Sequence, residues 1–219
     1  MKILALEFSS DQRSVALVES CEGSAPRCLA AVAEAGTRTM RALAMIERTL
    51  AEAGMEREEV DCLAVGIGPG SYTGIRAAIS LAQGWQLARE VPLLAVSSVE
   101  GLAAQAQSQD RRGRIHIAID AQRNEVYLAT FDVRDHAIET IEPLRLASAE
   151  DVRRRAEAGE IVLGPEANRW AASGQILFPE AAALGRLAAG RSDFIRGEEL
   201  APIYLRETTF VKAPPPRLL

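Results

Sequence analysis

Two rhythms alternate along this chain. Ile3-Leu4-Ala5-Leu6 is an unbroken apolar run that stops at Glu7, and Val15-Ala16-Leu17-Val18 follows the polar turn Ser9-Ser10-Asp11-Gln12-Arg13. Short apolar runs bounded by turn residues predict buried β-strands. A turn over residues 23–26 and a run over 28–35 add a third strand. From Thr37 the period lengthens. Met40, Leu43, Ala44, Ile46, Glu47 and Leu50 recur at helical spacing, and Gly54 supplies a stop. Residues 61–67 read as the next strand, and a glycine-rich loop leads into a helix over about 71–90. Pro92 to Val96 gives a further strand, and Ser97-Ser98-Val99-Glu100 opens another helix. The N-terminal part therefore reads βββαβαβα.

The second part opens as the first did. Ile115 to Ile119 is a strand closing on Asp120, Ala121-Gln122-Arg123-Asn124 is a turn, and Val126 to Phe131 returns. A strand near 140–146, a helix over 148–158 and a strand over 161–163 follow. Both openings run apolar strand, acid, polar turn, then a strand beginning with valine. Such a repeat points to two related lobes. The α/β fold of actin-like ATPase (ribonuclease H-like) architecture, with a mixed β-sheet and flanking helices in each lobe, is built this way and is the expected fold, while the alternative that any two β-hairpins open alike stays open at this point. The lobes are expected over residues 1–108 and 109–219, the second one smaller and ending in a tail at Ala213-Pro214-Pro215-Pro216.

The most distinctive stretch is Gly66-Ile67-Gly68-Pro69-Gly70-Ser71-Tyr72-Thr73-Gly74-Ile75-Arg76. Standing between a strand and a helix, it could offer backbone N–H groups and the helix dipole to an anion. It is not a P-loop, because Ile75-Arg76 stand where Lys and Ser or Thr are needed. It is not a dinucleotide fingerprint either, since its glycines are spaced G-x-G-x-x-x-G. Two readings stay open. In one, Gly68, Gly70 and Ser71 contact an anion or nucleotide together with the strand-end acids Glu7 and Asp120. In the other, the glycines make a tight turn, Ser71 caps the helix, and Gly74 lets it lie close to a neighbour.

The helix after the loop carries Gly74, Ala78 and Ala82 in one row, with Ala77, Leu81 and Trp85 beside them. The earlier helix has a similar stripe with Ala44 and Ala51. Such stripes are either core or, where exposed, a surface for a partner helix.

Composition changes the picture by exclusion. A net charge of −5 argues against gripping nucleic acid unaided. Arg153-Arg154-Arg155 is flanked by Glu150, Asp151 and Glu157 and reads as a solvated helix face. Cys21, Cys28 and Cys62 form neither a disulfide framework nor a metal site. With no leader-like start and no long apolar segment, a cytoplasmic protein without membrane contact is expected. His116 and His136 are expected in strands or turns rather than as ligands, so no metal or other cofactor is expected.

Residues 68–76, continued by Ala82-Gln83-Gly84, resemble the signature of the TsaB family, also called YeaZ. Further matches are Lys2-Ile3-Leu4-Ala5-Leu6, Val96-Ser97-Ser98, Ala118-Ile119-Asp120-Ala121-Gln122-Arg123-Asn124-Glu125-Val126-Tyr127 and Pro202-Ile203-Tyr204-Leu205-Arg206. The resemblance spans residues 2 to about 212. It implies the actin-like fold and a non-catalytic subunit that pairs with TsaD, the metal-bearing transferase acting on adenosine 37 of tRNA. The small ATPase TsaE joins them, tRNA is met only within the complex, and a homodimer is a further option for the isolated chain. Carried onto this sequence, the pairing surface comprises Met40, Leu43, Ala44, Glu47, Gly74, Ala77, Ala78, Leu81, Ala82 and Trp85. TsaD holds its metal through two histidines four residues apart on a helix, and this sequence has no H-x-x-x-H.

Departures fall at the first hairpin, where Glu7-Phe8-Ser9-Ser10 replaces the family's Asp-Thr-Ala or Asp-Thr-Ser. Arg38 stands where the family has a histidine, and Asn124 where it has glycine. Three functional classes follow. The leading one is a scaffold without catalytic residues. The second is an actin-like ATPase or small-molecule kinase, with Glu7 and Asp120 bracketing a magnesium-bound phosphate. The third is a peptidase, for which the sequence supplies no nucleophile–base pair.

Overall fold

The computed structural model describes residues 1–36 and 41–205. Arg38, Met40, Arg206 and the proline-rich tail lie outside the described residues. The first sheet is built from β1 (Lys2–Glu7), β2 (Gln12–Glu19), β3 (Arg27–Ala35), β4 (Cys62–Gly66) and β5 (Leu93–Val96), in the order β3-β2-β1-β4-β5. β1 to β3 form an antiparallel meander, and β4 and β5 add on in parallel. The second contains β6 (Gly113–Asp120), β7 (Glu125–Val133), β8 (Ile138–Ser148), β9 (Ile161–Gly164) and β10 (Gln175–Ile176). Read from one edge its order is β8-β7-β6-β9-β10, with the same pattern of antiparallel and parallel pairs. The repeat seen in the two openings is thus a repeat of whole sheets.

Helices cover both faces of each sheet, which is why the central strands are apolar without interruption. On one side of the first sheet, Leu4, Leu6, Val15 and Leu17 meet α1 (Ala42–Ala53) and α2 (Tyr72–Arg89) through Met45, Ile46, Leu50, Ile75 and Ile79. On the other side, Ile3, Ala5, Ala16 and Ala64 meet α6 (Ala181–Ala188) through Ala181, Leu184 and Ala188. In the second sheet, Ile115, Ile117 and Phe131 meet α3 (Ser98–Ser108), while Val126, Leu128 and Val162 meet α4 (Ala149–Glu157) and α5 (Ala167–Trp170).

Chain order and packing part company here. α3 precedes residue 109 yet covers the second sheet, whereas α6 follows it and covers the first. Beyond α6 the chain keeps to the first sheet. Ile195 pairs with Leu93 at its edge, Gly197 is held between Gln83 and Gln86 of α2, and the Ile203 N–H donates to Ile67 O at 2.9 Å. A division at 108/109 therefore cuts through both packing units. The alanine-rich surface of α6 explains the return, because Gly185 sits against Val18 and Ala5 with no room for a side chain.

Two surface assignments are overturned. Gly74, Ala78 and Ala82 are buried against the first sheet, because close packing of α2 on β1 and β4 uses the small-residue row. Arg155 leaves the solvated arginine run, turns inward and pairs with Glu142 at 2.8 Å.

Helix α2 allows a paired test. An added Cβ at Gly74 would collide with the Phe8 carbonyl oxygen, whereas Gly84 has nothing within 4 Å. Gly74→Ala should destabilise the fold by about 2–3 kcal/mol through overpacking. Gly84→Ala should stabilise it by about 1 kcal/mol through helix propensity. Opposite shifts of the urea midpoint check the assignment, and shifts of one sign would contradict it.

Candidate functional site

The first hairpin is pressed onto the glycine loop. Ser71 N–H donates to Ser9 O at 2.7 Å, and Ser71 Oγ in turn accepts the Gly74 N–H at 3.3 Å as the N-cap of α2. Gly70 faces the Ser9 carbonyl and Gly66 faces the Glu7 carboxylate, each too closely for a Cβ. Phe8, the departure from the family pattern, is wholly buried in the first core. Glu7 is 0% exposed. Its carboxylate accepts the Ser9 N–H at 2.7 Å and the Ser98 hydroxyl at 2.8 Å. Burial pushes its pKa up, and the hydrogen bonds from Ser9 and Ser98 oppose that rise. Gly68 is sealed beneath Ile75. The anion reading loses both residues, since neither reaches a surface where a ligand could meet it.

Gly70, Ser71 and Asp120 do come together, on the walls of a cleft of about 670 Å3 between the lobes. The first lobe adds Ser10, Asp11, Tyr72 and Thr73, and the second adds Gln122, Tyr127, Glu166 and Arg169. Asp120 accepts from Arg169 Nη1 at 2.7 Å and from Gln122 N–H at 2.8 Å, and the Arg169 guanidinium lies 4.6 Å above the Trp170 ring. Glu166 accepts the Asp120 N–H at 3.3 Å. Burial raises its pKa most, and the neighbouring Asp120 and Asp11 charges add to the rise. Among the described residues the cleft sets three carboxylates, Asp11, Asp120 and Glu166, against the one guanidinium of Arg169, an acidic lining that is hostile to phosphate.

Asp11, Glu166 and the tyrosines escaped the sequence reading. A signal existed for Glu166, because a Gly-Pro pair stands at the end of β9 (Gly164-Pro165) as another stands just after β4 (Gly68-Pro69), and Gly164 presses on the Ala118 carbonyl as Gly70 does on Ser9. The turn after Asp120 holds Gln122, Arg123 and Asn124 at φ of 63°, 56° and 61°. Asn124 thereby takes the left-handed backbone for which it substitutes glycine.

A second site lies on the outer face of the first lobe. A groove of about 280 Å3 runs between α1 and α2, lined by Leu43, Ile46, Glu47, Trp85 and Ala88. Leu43 is 64% exposed, Ala44 and Glu47 stand in solvent, and Ala77, Leu81 and Trp85 are partly covered. The ion pairs Arg57–Glu47 (2.9 Å) and Arg89–Glu58 (2.8 Å) rim the groove, and buried Trp85 Nε1 has no acceptor.

His116 sits in a row of hydroxyl, imidazole and carboxylate, with Thr130 Oγ1 2.9 Å from Nδ1 and Glu160 Oε2 2.8 Å from Nε2. The row is closed, since His116 and Thr130 are wholly buried and Arg155 Nη1 also approaches Nδ1 at 3.1 Å. Burial first, then the Arg155 charge, lowers the His116 pKa, against the opposing pull of Glu160 and Glu142; with Arg155 Nη1 donating to Nδ1, Nε2 is the nitrogen that donates to Glu160. His136 is exposed between β7 and β8. Among the described residues, no group of three or more His, Cys, Asp or Glu could hold a metal ion.

Two sheets of matching topology with a cleft between them define the actin-like (ribonuclease H-like) class of fold. The family model for TsaD, tRNA N6-adenosine threonylcarbamoyltransferase, matches residues 37–197. The tRNA threonylcarbamoyladenosine biosynthesis protein TsaB of Escherichia coli is 30% identical over 98% of this chain and 99% of its own length. The protein of that name in Haemophilus influenzae is 36% identical over 59% of this chain and 53% of its own length. The solved structure of YeaZ from Pseudomonas aeruginosa superposes with a TM-score of 0.77 at 30% identity, covering 93% of this chain and 99% of that one. Another structure, described as an uncharacterized protein with similarity to peptidase YeaZ from the same organism, gives 0.76 at 29%, covering 94% and 99%. The chain belongs to the TsaB family.

The buried acid sets a pH dependence. The Glu7 pKa is raised in the folded state, so its contribution to stability is fully present below about pH 4.5 and lost as pH rises through the folded value. Glu7→Gln keeps an acceptor for the Ser9 N–H and gains a donor for Ser98 Oγ. The variant should therefore melt above wild type at pH 8, with the gap closing towards pH 4.5. Parallel melting curves across that range would refute a buried ionisable Glu7.

Proposed function

We propose that this chain is a non-catalytic scaffold subunit in the synthesis of threonylcarbamoyladenosine on tRNA, pairing with a TsaD-type transferase through the α1–α2 face. The observation that carries the proposal is the groove itself. An apolar side chain as exposed as Leu43, beside a Trp whose N–H lacks an acceptor and within a rim of ion pairs, has the make-up of an interface hot spot. Family membership supports a partner from the same tRNA-modifying machinery, and a TsaD-type partner is our reading. On this reading Leu43, Ala44, Glu47, Ala77, Leu81 and Trp85 meet the partner, while Gly74, Ala78 and Ala82 support the face from behind. A TsaE-type ATPase and tRNA engage the assembled complex rather than this acidic chain alone. None of the helices among the described residues is long and apolar enough to cross a membrane, and a cytoplasmic location is part of this proposal, in keeping with a role on tRNA.

The runner-up readings find less support. An ATPase or kinase would have to place phosphates beside Asp11, Asp120 and Glu166, with Glu7 sealed away. A peptidase would need an accessible base, and His116 is enclosed.

Co-purification with the TsaD of the same organism tests the scaffold reading. Wild type should form a stoichiometric complex. Leu43→Glu, on a side chain that the fold does not need, should weaken binding tenfold or more, about 1.4 kcal/mol or above, at unchanged melting temperature. A wild-type chain that does not bind, or a variant that binds as well, would overturn the pairing. Millimolar ATP with magnesium should leave the melting temperature unchanged, whereas a clear rise would favour the nucleotide reading.

A further inference from the structure

Helix α4 has little to hold it in place. It is nine residues long, too short to stand alone in water, and Val152 is its one buried side chain. The sheet face beneath it is apolar at Ala118, Leu128 and Val162 but is crossed by one polar row. His116 on β6 stands opposite Thr130 on β7, and Thr130 stands opposite Glu142 on β8. Arg155 reaches from α4 onto that row, with only 16% of its side chain exposed. Its Nη2 donates to Glu142 Oε2 at 2.8 Å, and its Nη1 donates to His116 Nδ1 at 3.1 Å. The second bond exists only while Nδ1 keeps a free lone pair.

That dependence gives the row two arrangements. In the neutral ring Nδ1 accepts from Arg155 while Nε2 donates to Glu160 Oε2 at 2.8 Å. A proton added at Nδ1 removes the acceptor and sets a positive ring 3.1 Å from a guanidinium. The charged ring has partners without Arg155. Thr130 Oγ1, 2.9 Å from Nδ1, can turn to accept its N–H, and Glu160 keeps the other. The charged groups that face the ring are Arg155 from α4, Glu160 from the turn before β9 and Glu142 from β8. Arg114 of β6 stands behind Glu160 at 3.4 Å and Arg145 of β8 behind Glu142 at 3.6 Å. Opposite His116, β7 and β9 place only the uncharged Thr130 and Val162. Burial and the Arg155 charge hold the imidazole below its ordinary pKa of 6.5, against the two glutamates. A lowered folded value means that the neutral ring's contribution to stability is present above pH 6.5 and is lost as pH falls below it.

We infer that His116 is an acid-operated latch for α4: the neutral ring holds Arg155 on the second sheet, and the protonated ring expels it and frees the helix. On leaving, α4 uncovers the cluster in which its Val152 packs with Val162, Ala167 and Trp170. The α1–α2 face belongs to a different core and has no part in the latch, so the change is confined to the second sheet.

The full chain is titrated from about pH 7.5 to about pH 4.5. The ring of His116 is followed by NMR, and α4 by amide hydrogen exchange corrected for the intrinsic effect of pH on the exchange reaction. His116 should titrate below pH 6.5. Protection of the α4 amides should fall at least tenfold along the same curve, while protection of α1 holds. His116→Gln, which cannot take a charge, should keep α4 protected across the range. Arg155→Met should leave α4 unprotected at every pH and move the His116 titration upwards, because the repelling cation is gone. That arm decides the matter even where the glutamine variant does not fold. A ring that titrates at or above pH 6.5, or not at all, would overturn the latch. So would α4 protection that is flat with pH, or a His116 titration that stays in place in Arg155→Met. Protection that falls equally in His116→Gln, or together with that of α1, would overturn it as well, in favour of general loosening through the carboxylates.

Discussion

The contact on which the first lobe depends is made of backbone. The carbonyl groups of Phe8 and Ser9 stand where Gly74 and Gly70 would otherwise carry a Cβ, and the Ser9 carbonyl also accepts the Ser71 N–H. This contact fixes the register between β1 and α2, sets the end of α2 at the cleft, and leaves Glu7 enclosed between β1, Gly66 and Ser98. The hairpin whose Glu7 the sequence offered as a phosphate or anion contact is here consumed in packing. The same contact recurs in the second lobe, where Gly164 meets the Ala118 carbonyl. The two lobes share a way of joining a central strand to the loop of its parallel neighbour, as well as a strand order.

Much of this was legible in the residues. Apolar runs that stop at Glu7 and Asp120 located both central strands, because strands covered on two faces have no polar positions to interrupt them. Ser71 announced its cap, and the glycines of the loop announced close approach, though not whether a ligand or the protein's own backbone would be the neighbour. Spacing says that a side chain is missing and leaves open what fills the space. Gly74, Ala78 and Ala82 illustrate the same ambiguity, since a row of small residues serves a sheet as well as a partner helix. Only burial separates those uses, and it assigns the row to the sheet while leaving Leu43 exposed and Trp85 half-buried beside it.

What stayed hidden was relational. Asp11, Tyr72 and Tyr204 are far apart in sequence and share a wall only once the first lobe is folded, and Glu166 faces them only across the cleft. Arg155 looked like one of three solvated arginines because Glu142 and His116, its actual partners, lie on other strands. The exchange of helices between lobes was equally invisible, since each helix is amphipathic towards some sheet and the pattern does not say which.

That exchange has a consequence for how the chain is made. As it emerges during synthesis, the first sheet can form its hairpins early, but the face bearing Ile3, Ala5 and Ala16 stays uncovered until α6 has been added near the end. Contacts such as Gly185 against Val18 join opposite ends of the sequence, a topology associated with slow folding because loop closure precedes its reward. The N-terminal lobe therefore cannot mature as an independent unit on the ribosome. Its completion waits for the other lobe to be traversed, so the two lobes reach the native state together.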